Sequence, residues 1–165
     1  KKDKVFFIFS YQKTPMPSTT IEHLDIENLL SENKPIILRC PFKECNTRII
    51  PYSNKLIHLQ IHNAPNAIRA VPDNSPELSD KLINFYQIND VWDFDNIGVS
   101  RPSSEISQDP IISHDNESTI HIERLIVCSE CDRGPLGFAG IPNGKETDHK
   151  NLVYFLSRDS VIYDY

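Results

Sequence analysis

Four cysteines arranged as two close pairs constrain this chain more than any other feature. Cys40 and Cys45 bracket Pro41-Phe42-Lys43-Glu44, Cys128 and Cys131 bracket Ser129-Glu130, and 82 residues separate the pairs. With no cysteine left over, the spacing describes a closed tetrahedral zinc site with four thiolate ligands. A finger folds around its metal locally. A metal clasping residues 40 and 131 instead staples distant parts of one domain, which makes it structural and puts the function elsewhere.

Three other uses of these residues have to be weighed. Disulfides persist in oxidising compartments, and the apolar run Val5 to Phe9 is too short for a secretory signal or a bilayer span. A redox C-x-x-C opens a helix, whose N-terminus lowers the thiol pKa. Here Cys128-Ser-Glu-Cys131 follows the strand-like Leu125-Ile126-Val127 and runs into Asp132-Arg133-Gly134-Pro135, where Gly and Pro oppose a helix. Finally, Cys40-x4-Cys45-x12-His58-x3-His62 matches the spacing of a two-cysteine, two-histidine finger. Yet Ile57, Leu59 and Ile61 alternate with His58, Gln60 and His62, the period of a half-buried strand. On a strand the two histidines stand roughly 13 Å apart and cannot share an ion. Lys55 occupies the position where a finger carries a core leucine, and the finger would leave Cys128 and Cys131 unused. His58 and His62 are therefore expected to face solvent. His23, His114, His121 and His149 form no ligand spacing.

The 165 residues suit one domain with tails, or at most two small domains. An apolar fraction of 39% implies a modest core, for which a metal clasp helps. The net charge of −6 becomes about −8 with four thiolates around one Zn2+. That balance argues against nucleic acid, which needs a basic face, and leaves a partner with a basic surface or plain solubility.

Residues 1–15 differ in character from the rest of the chain, and Met16 is expected to be the natural start, with 1–15 an upstream extension. Thr19 to Ser31 reads as a short helix, with Thr19 and Glu22 as its capping box and Pro35 enforcing the stop. This predicts an N-terminal extension over 1–34 and a zinc-binding β domain over 35–165. In the latter, short branched or aromatic runs bounded by Asn, Asp, Pro and Gly predict strands at 36–38, 49–50, 56–61, 68–71, 85–88, 91–94, 120–127, 152–155 and 161–163. No helical period intervenes, so the class is all-β. Residues 63–80 and 100–118 read as long polar loops.

Asp90 to Val99 (DVWDFDNIGV) carries the only tryptophan. Alternation leaves neither face cleanly apolar. On composition, Trp92 and Phe94 are better read as core and the aspartates as solvated. The rival is an aromatic and carboxylate strip exposed for a partner.

Three segments occur in order: Cys-x4-Cys-x2-Arg-Ile-Ile-Pro ending at Pro51, Asp90 to Val99, and Leu125 to Gly137 with Cys-x2-Cys-x2-Gly-Pro-Leu-Gly. Together they make the stretch from Ile36 to Leu156 resemble the Mss/Dss family of Rab-interacting, zinc-binding guanine-nucleotide-release factors. The four-residue first spacing is like the fungal branch. The resemblance implies a β-tent of coiled antiparallel sheets, stapled by one structural zinc that joins two hairpin loops. It also implies binding to an exocytic Rab GTPase in its nucleotide-free form, slow promotion of GDP release, and a chaperone-like role beside it. Such a protein is a non-covalent regulator in vesicular transport, expected to be a cytoplasmic monomer peripheral to membranes through its Rab partner.

Carried over by position, the partner-binding surface centres on Trp92, Phe94, Asp95, Asn96 and Gly98, with Ser129 and Glu130 from the second zinc loop. Family members often have Asp where this chain has Glu130, which keeps the charge and adds one methylene of reach. Asn96 could instead brace the turn before Ile97-Gly98. Two other functions compete with this one. A thiol enzyme such as a methionine-sulfoxide reductase needs a further reactive cysteine, which the chain lacks. A zinc-stabilised interaction module with a non-Rab target remains the alternative, and binding to a nucleotide-free Rab separates it from the first reading.

Overall fold

The computed structural model describes residues 18–102, 109–112, 118–143, 145 and 149–165. The expectations for residues 1–15 and Met16, and for His114, fall outside them. The strands are β1 (Ser18–Thr19), β2 (Ile37–Arg39), β3 (Arg48–Pro51), β4 (Ile57–His62), β5 (Ala67–Arg69), β6 (Glu77–Ser79), β7 (Asn84–Ile88), β8 (Ile97–Ser100), β9 (Ile111–Ile112), β10 (Ile120–Cys128), β11 (Gly137–Pro142), β12 (Val153–Ser157) and β13 (Ile162–Asp164). Among the described residues one α-helix, α1 (Ile26–Ser31), precedes β2. The fold is mainly β.

Every strand pair among the described residues is antiparallel. A four-stranded sheet runs β1-β13-β2-β3, a seven-stranded sheet runs β8-β10-β11-β12-β7-β4-β9, and β5-β6 forms a separate hairpin. One core gathers Leu38, Ile49 and Ile50 of the smaller sheet with Tyr86, Ile126 and Leu156 of the larger and Leu136, which precedes β11. Neighbouring residues on a strand point to opposite faces, so Phe85 and Phe155 enter a second cluster with Leu59, Ile61 and Phe138. There Phe138 stacks on Phe155 at 5.0 Å and meets Phe85 edge-on at 5.7 Å.

A polar tie links the sheets at Tyr86 of β7 and Tyr163 of β13, whose buried hydroxyls lie 2.9 Å apart. Tyr163 donates to the Arg158 carbonyl at 2.9 Å, so the proton between the rings comes from Tyr86.

Four sequence expectations need correction. The helix starts at Ile26, and its cap is Asp25, which accepts from the Asn28 amide at 3.0 Å. Thr19 is drawn into β1 by pairing with Tyr163, so its capping box with Glu22 does not form. The segment 63–80 is no bare loop: it contains the β5-β6 hairpin, tied down by bonds from the Ile68 amide to the Pro135 carbonyl and from the Ala70 amide to the Asp159 carbonyl, both 2.8 Å. β5 answers to the strand expected at 68–71, whereas β6, with Glu77 and Leu78 both exposed, carries no alternation to read. Within 100–118, Ile111–Ile112 forms β9 against Ile61 and His62, and residues 103–108 and 113–117 lie outside the described residues. Lastly, 91–94 is a 3-10 turn over Val91–Asp93, capped by Asp90, and the strand of this motif begins only at Ile97.

The sequence expectations omit a central strand altogether. β11 (GFAGIP) is almost wholly buried, between β10 and β12. Its glycines are demanded by close approach: a Cβ at Gly137 would sit 2.0 Å from the Phe155 carbonyl oxygen, and one at Gly140 would sit 2.5 Å from the Ile120 side chain.

Candidate functional site

The two cysteine loops are built alike. The first joins β2 to β3 and the second joins β10 to β11. In each, the amide of the leading cysteine bonds the carbonyl two residues beyond the trailing one: Cys40 to Thr47 at 2.9 Å, Cys128 to Arg133 at 3.0 Å. The residue after each trailing cysteine has positive φ, 48° at Asn46 and 57° at Asp132, and its amide bonds back into the loop, to Phe42 at 2.8 Å and Cys128 at 2.9 Å. Asn and Asp tolerate that conformation better than other non-glycine residues. Each loop thus folds back on itself and aims two sulfurs at one point.

The four sulfurs all lie within 4.8 Å of one another. Cys40 and Cys131 are 3.7 Å apart, and Cys45 and Cys128 3.6 Å. Those distances are far beyond the roughly 2.05 Å of a disulfide, and the thiols are free. They match the edge of about 3.8 Å of a sulfur tetrahedron around an ion at roughly 2.3 Å. The cluster therefore suits one tetrahedral metal ion, which would join the smaller sheet to the larger. His58 and His62 stand exposed on β4 and take no part in it.

Electrostatics within the cluster are uneven. Burial pushes the Cys40 thiol well up, against a bond from the Phe42 amide. Burial also raises Cys128, opposed by the amides of Cys131 and Glu130. For Cys131 burial is outweighed by bonds from the backbone and guanidinium of Arg133 and from the other thiols, which bring it down to about 7. Amides aimed at sulfur are what a thiolate ligand needs. Arg133 also ties the loops together, lying 3.9 Å over the Phe42 ring and 3.5 Å from Glu44.

The strip around Trp92 meets this centre through sheet register. Ile97 pairs with Cys128 and Gly98 with Val127, so Asn96 and Ser129 follow at the same end of the β8-β10 pair. A Cβ at Gly98 would press on Val127 at 3.3 Å. Trp92 is 89% exposed, with Val91 and Val99 also at the surface. The reading of Trp92 as core is thus wrong: the 3-10 turn lifts its ring off the sheet. Phe94 is half-buried, its ring 5.7 Å from Tyr154. Ser129 and Glu130 are exposed at the second cysteine loop.

The polar residues of the strip are engaged within the chain. Asp95 pairs with Arg48 at 3.3 Å and Asp93 with Lys55 at 2.9 Å, while the Asp90 carboxylate caps the Trp92 amide at 2.9 Å. The Asn96 side-chain amide donates to the Arg48 carbonyl at 3.0 Å. Sequence reasoning missed Arg48 and Lys55. Arg48 stands inside Cys-x2-Arg-Ile-Ile-Pro, but pairing it with Asp95, 47 positions away, takes the tertiary structure.

A family model described as Mss4 protein matches residues 36–162. Protein DSS4 of Saccharomyces cerevisiae is 29% identical over 136 residues, covering 74% of this chain and 92% of that protein. The matched span of the family model contains both cysteine loops and the whole strip.

Proposed function

The chain belongs to the Mss4 family, and from that membership we propose that it is a guanine-nucleotide release factor for a Rab-type GTPase. It binds the nucleotide-free form of an exocytic Rab, speeds GDP release in vesicular transport, and is displaced when new nucleotide enters. The observation that carries this reading is the register that sets an exposed aromatic strip against the second cysteine loop, inside the family match. The metal is one structural zinc held by Cys40, Cys45, Cys128 and Cys131. The partner-binding surface is presented by Trp92, Phe94, Gly98, Ser129 and Glu130, with Asp95 and Asn96 in the turn that carries them and engaged with Arg48.

The chemistry needs no covalent step and no nucleophile. A Rab nucleotide pocket is a phosphate-binding nest with a lysine, ordered by phosphate and Mg2+. Once nucleotide leaves, its cationic groups lack a partner. Glu130 supplies a carboxylate and Trp92 an apolar anchor to hold that emptied state, and holding it lowers nucleotide affinity by the same factor with which nucleotide lowers affinity for the factor. The protein acts as a monomer in the cytoplasm, reaching membranes through its Rab; no described helix is long and apolar enough to cross one. A chaperone role for empty Rab follows from the same preference.

The test is a panel of Rab proteins stripped of nucleotide. Binding should be far tighter to the empty form than to GDP- or GTP-loaded forms, and excess GTP should dissociate the complex. Equal affinity for empty and loaded forms of every member would refute the proposal, because equal binding shifts no equilibrium.

A further inference from the structure

The carboxylates that follow Trp92, Asp93 and Asp95, are spent on the chain's own cations. Asp95 lies 3.3 Å from the Arg48 guanidinium and Asp93 lies 2.9 Å from Lys55. Two more bonds fasten the same turn to β3: the Asp95 amide to the Ile49 carbonyl at 2.8 Å, and the Asn96 side chain to the Arg48 carbonyl at 3.0 Å. β3 leaves the first cysteine loop directly, since Thr47, whose carbonyl closes that loop on Cys40, precedes Arg48. Among the described residues Glu130 has no cation within ion-pair distance, although it is exposed.

We propose that Arg48 is a positioning residue: it latches the Asp95–Asn96 turn onto the strand leaving the first cysteine loop, and Asp95 serves that latch instead of meeting the partner. The first loop then sets where Trp92 is presented, and the second supplies the free carboxylate through Glu130. The inference rests on the Rab reading for its functional consequence. It has a physical consequence of its own, because the latch orders the turn with or without a partner.

A double-mutant cycle with the zinc-loaded protein tests it. Wild type, Arg48→Ala, Asp95→Ala and the double variant are titrated against a nucleotide-free Rab. Each single change should weaken binding roughly two- to fivefold, the range of an exposed ion pair. The double variant should be no weaker than either single one, because both remove the same contact. Arg48→Lys should recover most of the loss. If Asp95 instead met a cation of the partner, removing Arg48 would free that carboxylate, and binding of Arg48→Ala would equal or exceed wild type. That result, or losses that multiply in the double variant, overturns the latch.

Amide hydrogen exchange provides the readout without a partner. The amide at position 95 should exchange roughly two- to fivefold faster in Arg48→Ala and in Asp95→Ala, while those of Cys40 and Cys128 stay protected. Unchanged exchange at position 95 overturns the latch even if Rab binding is normal. If wild type binds no empty Rab, the Rab reading falls, and exchange alone decides on Arg48.

Discussion

Replacing Tyr163 with Phe should destabilise the protein more than replacing Tyr86, although the two hydroxyls share one hydrogen bond. The order comes from the donor chain. Tyr163 donates to the Arg158 carbonyl at 2.9 Å, and Tyr86, 2.9 Å away, donates to Tyr163. Tyr86→Phe removes one donor and leaves Tyr163 still bonded to Arg158. The loss is one net hydrogen bond, about 1 kcal/mol. Tyr163→Phe strands the buried Tyr86 hydroxyl and the Arg158 carbonyl together, and unsatisfied buried groups cost about 1–3 kcal/mol each. Since the carbonyl end is only partly buried, the expected cost is about 2–3 kcal/mol, or a fall in melting temperature of about 4–12 °C at 2–4 °C per kcal/mol. The double variant leaves only the carbonyl unmet, so it should be no less stable than Tyr163→Phe alone. Urea unfolding of the zinc-loaded protein measures all three. The donor assignment fails if Tyr86→Phe costs as much as Tyr163→Phe, or if the two losses simply add.

Three further outcomes are expected. Cys128→Ser or Cys40→Ser should abolish stoichiometric zinc and the fold together, because a structural zinc contributes on the order of 10 kcal/mol or more against a total stability of about 5–15 kcal/mol; His58→Ala with His62→Ala should keep one zinc per chain, and metal analysis showing the reverse would restore the finger. Stability should fall as pH rises from 10 towards 12: burial raises the Tyr86 hydroxyl to about 12 and Tyr163 well above its ordinary value of 10.0, so the unfolded chain ionises first, and the contribution that is intact below pH 10 is lost through the folded values; Tyr86→Phe should flatten that decline in chemical denaturation across pH. Gly137→Ala would place a methyl 2.0 Å from the Phe155 carbonyl and should separate β11 from β12, seen as loss of protection at the amides that pair Gly137 with Leu156.

The features legible in the sequence alone were local or compositional. Alternation marked β4 and turned His58 and His62 outward, because a strand repeats every two residues whatever lies beyond it. Four cysteines in two short spacings named their own set, because short loops between paired strands can present two sulfurs to one ion. Only the tertiary structure decided the rest. The chemistry of Trp92 is that of a core residue, and it is exposed because a 3-10 turn stands off the sheet there. β11 is central despite two glycines, because its neighbours approach too closely for side chains. Asp95 is an acid on an acidic strip until folding brings Arg48 to it from 47 positions away. Burial and pairing belong to whichever distant segment arrives, and no pattern within one segment records that arrival.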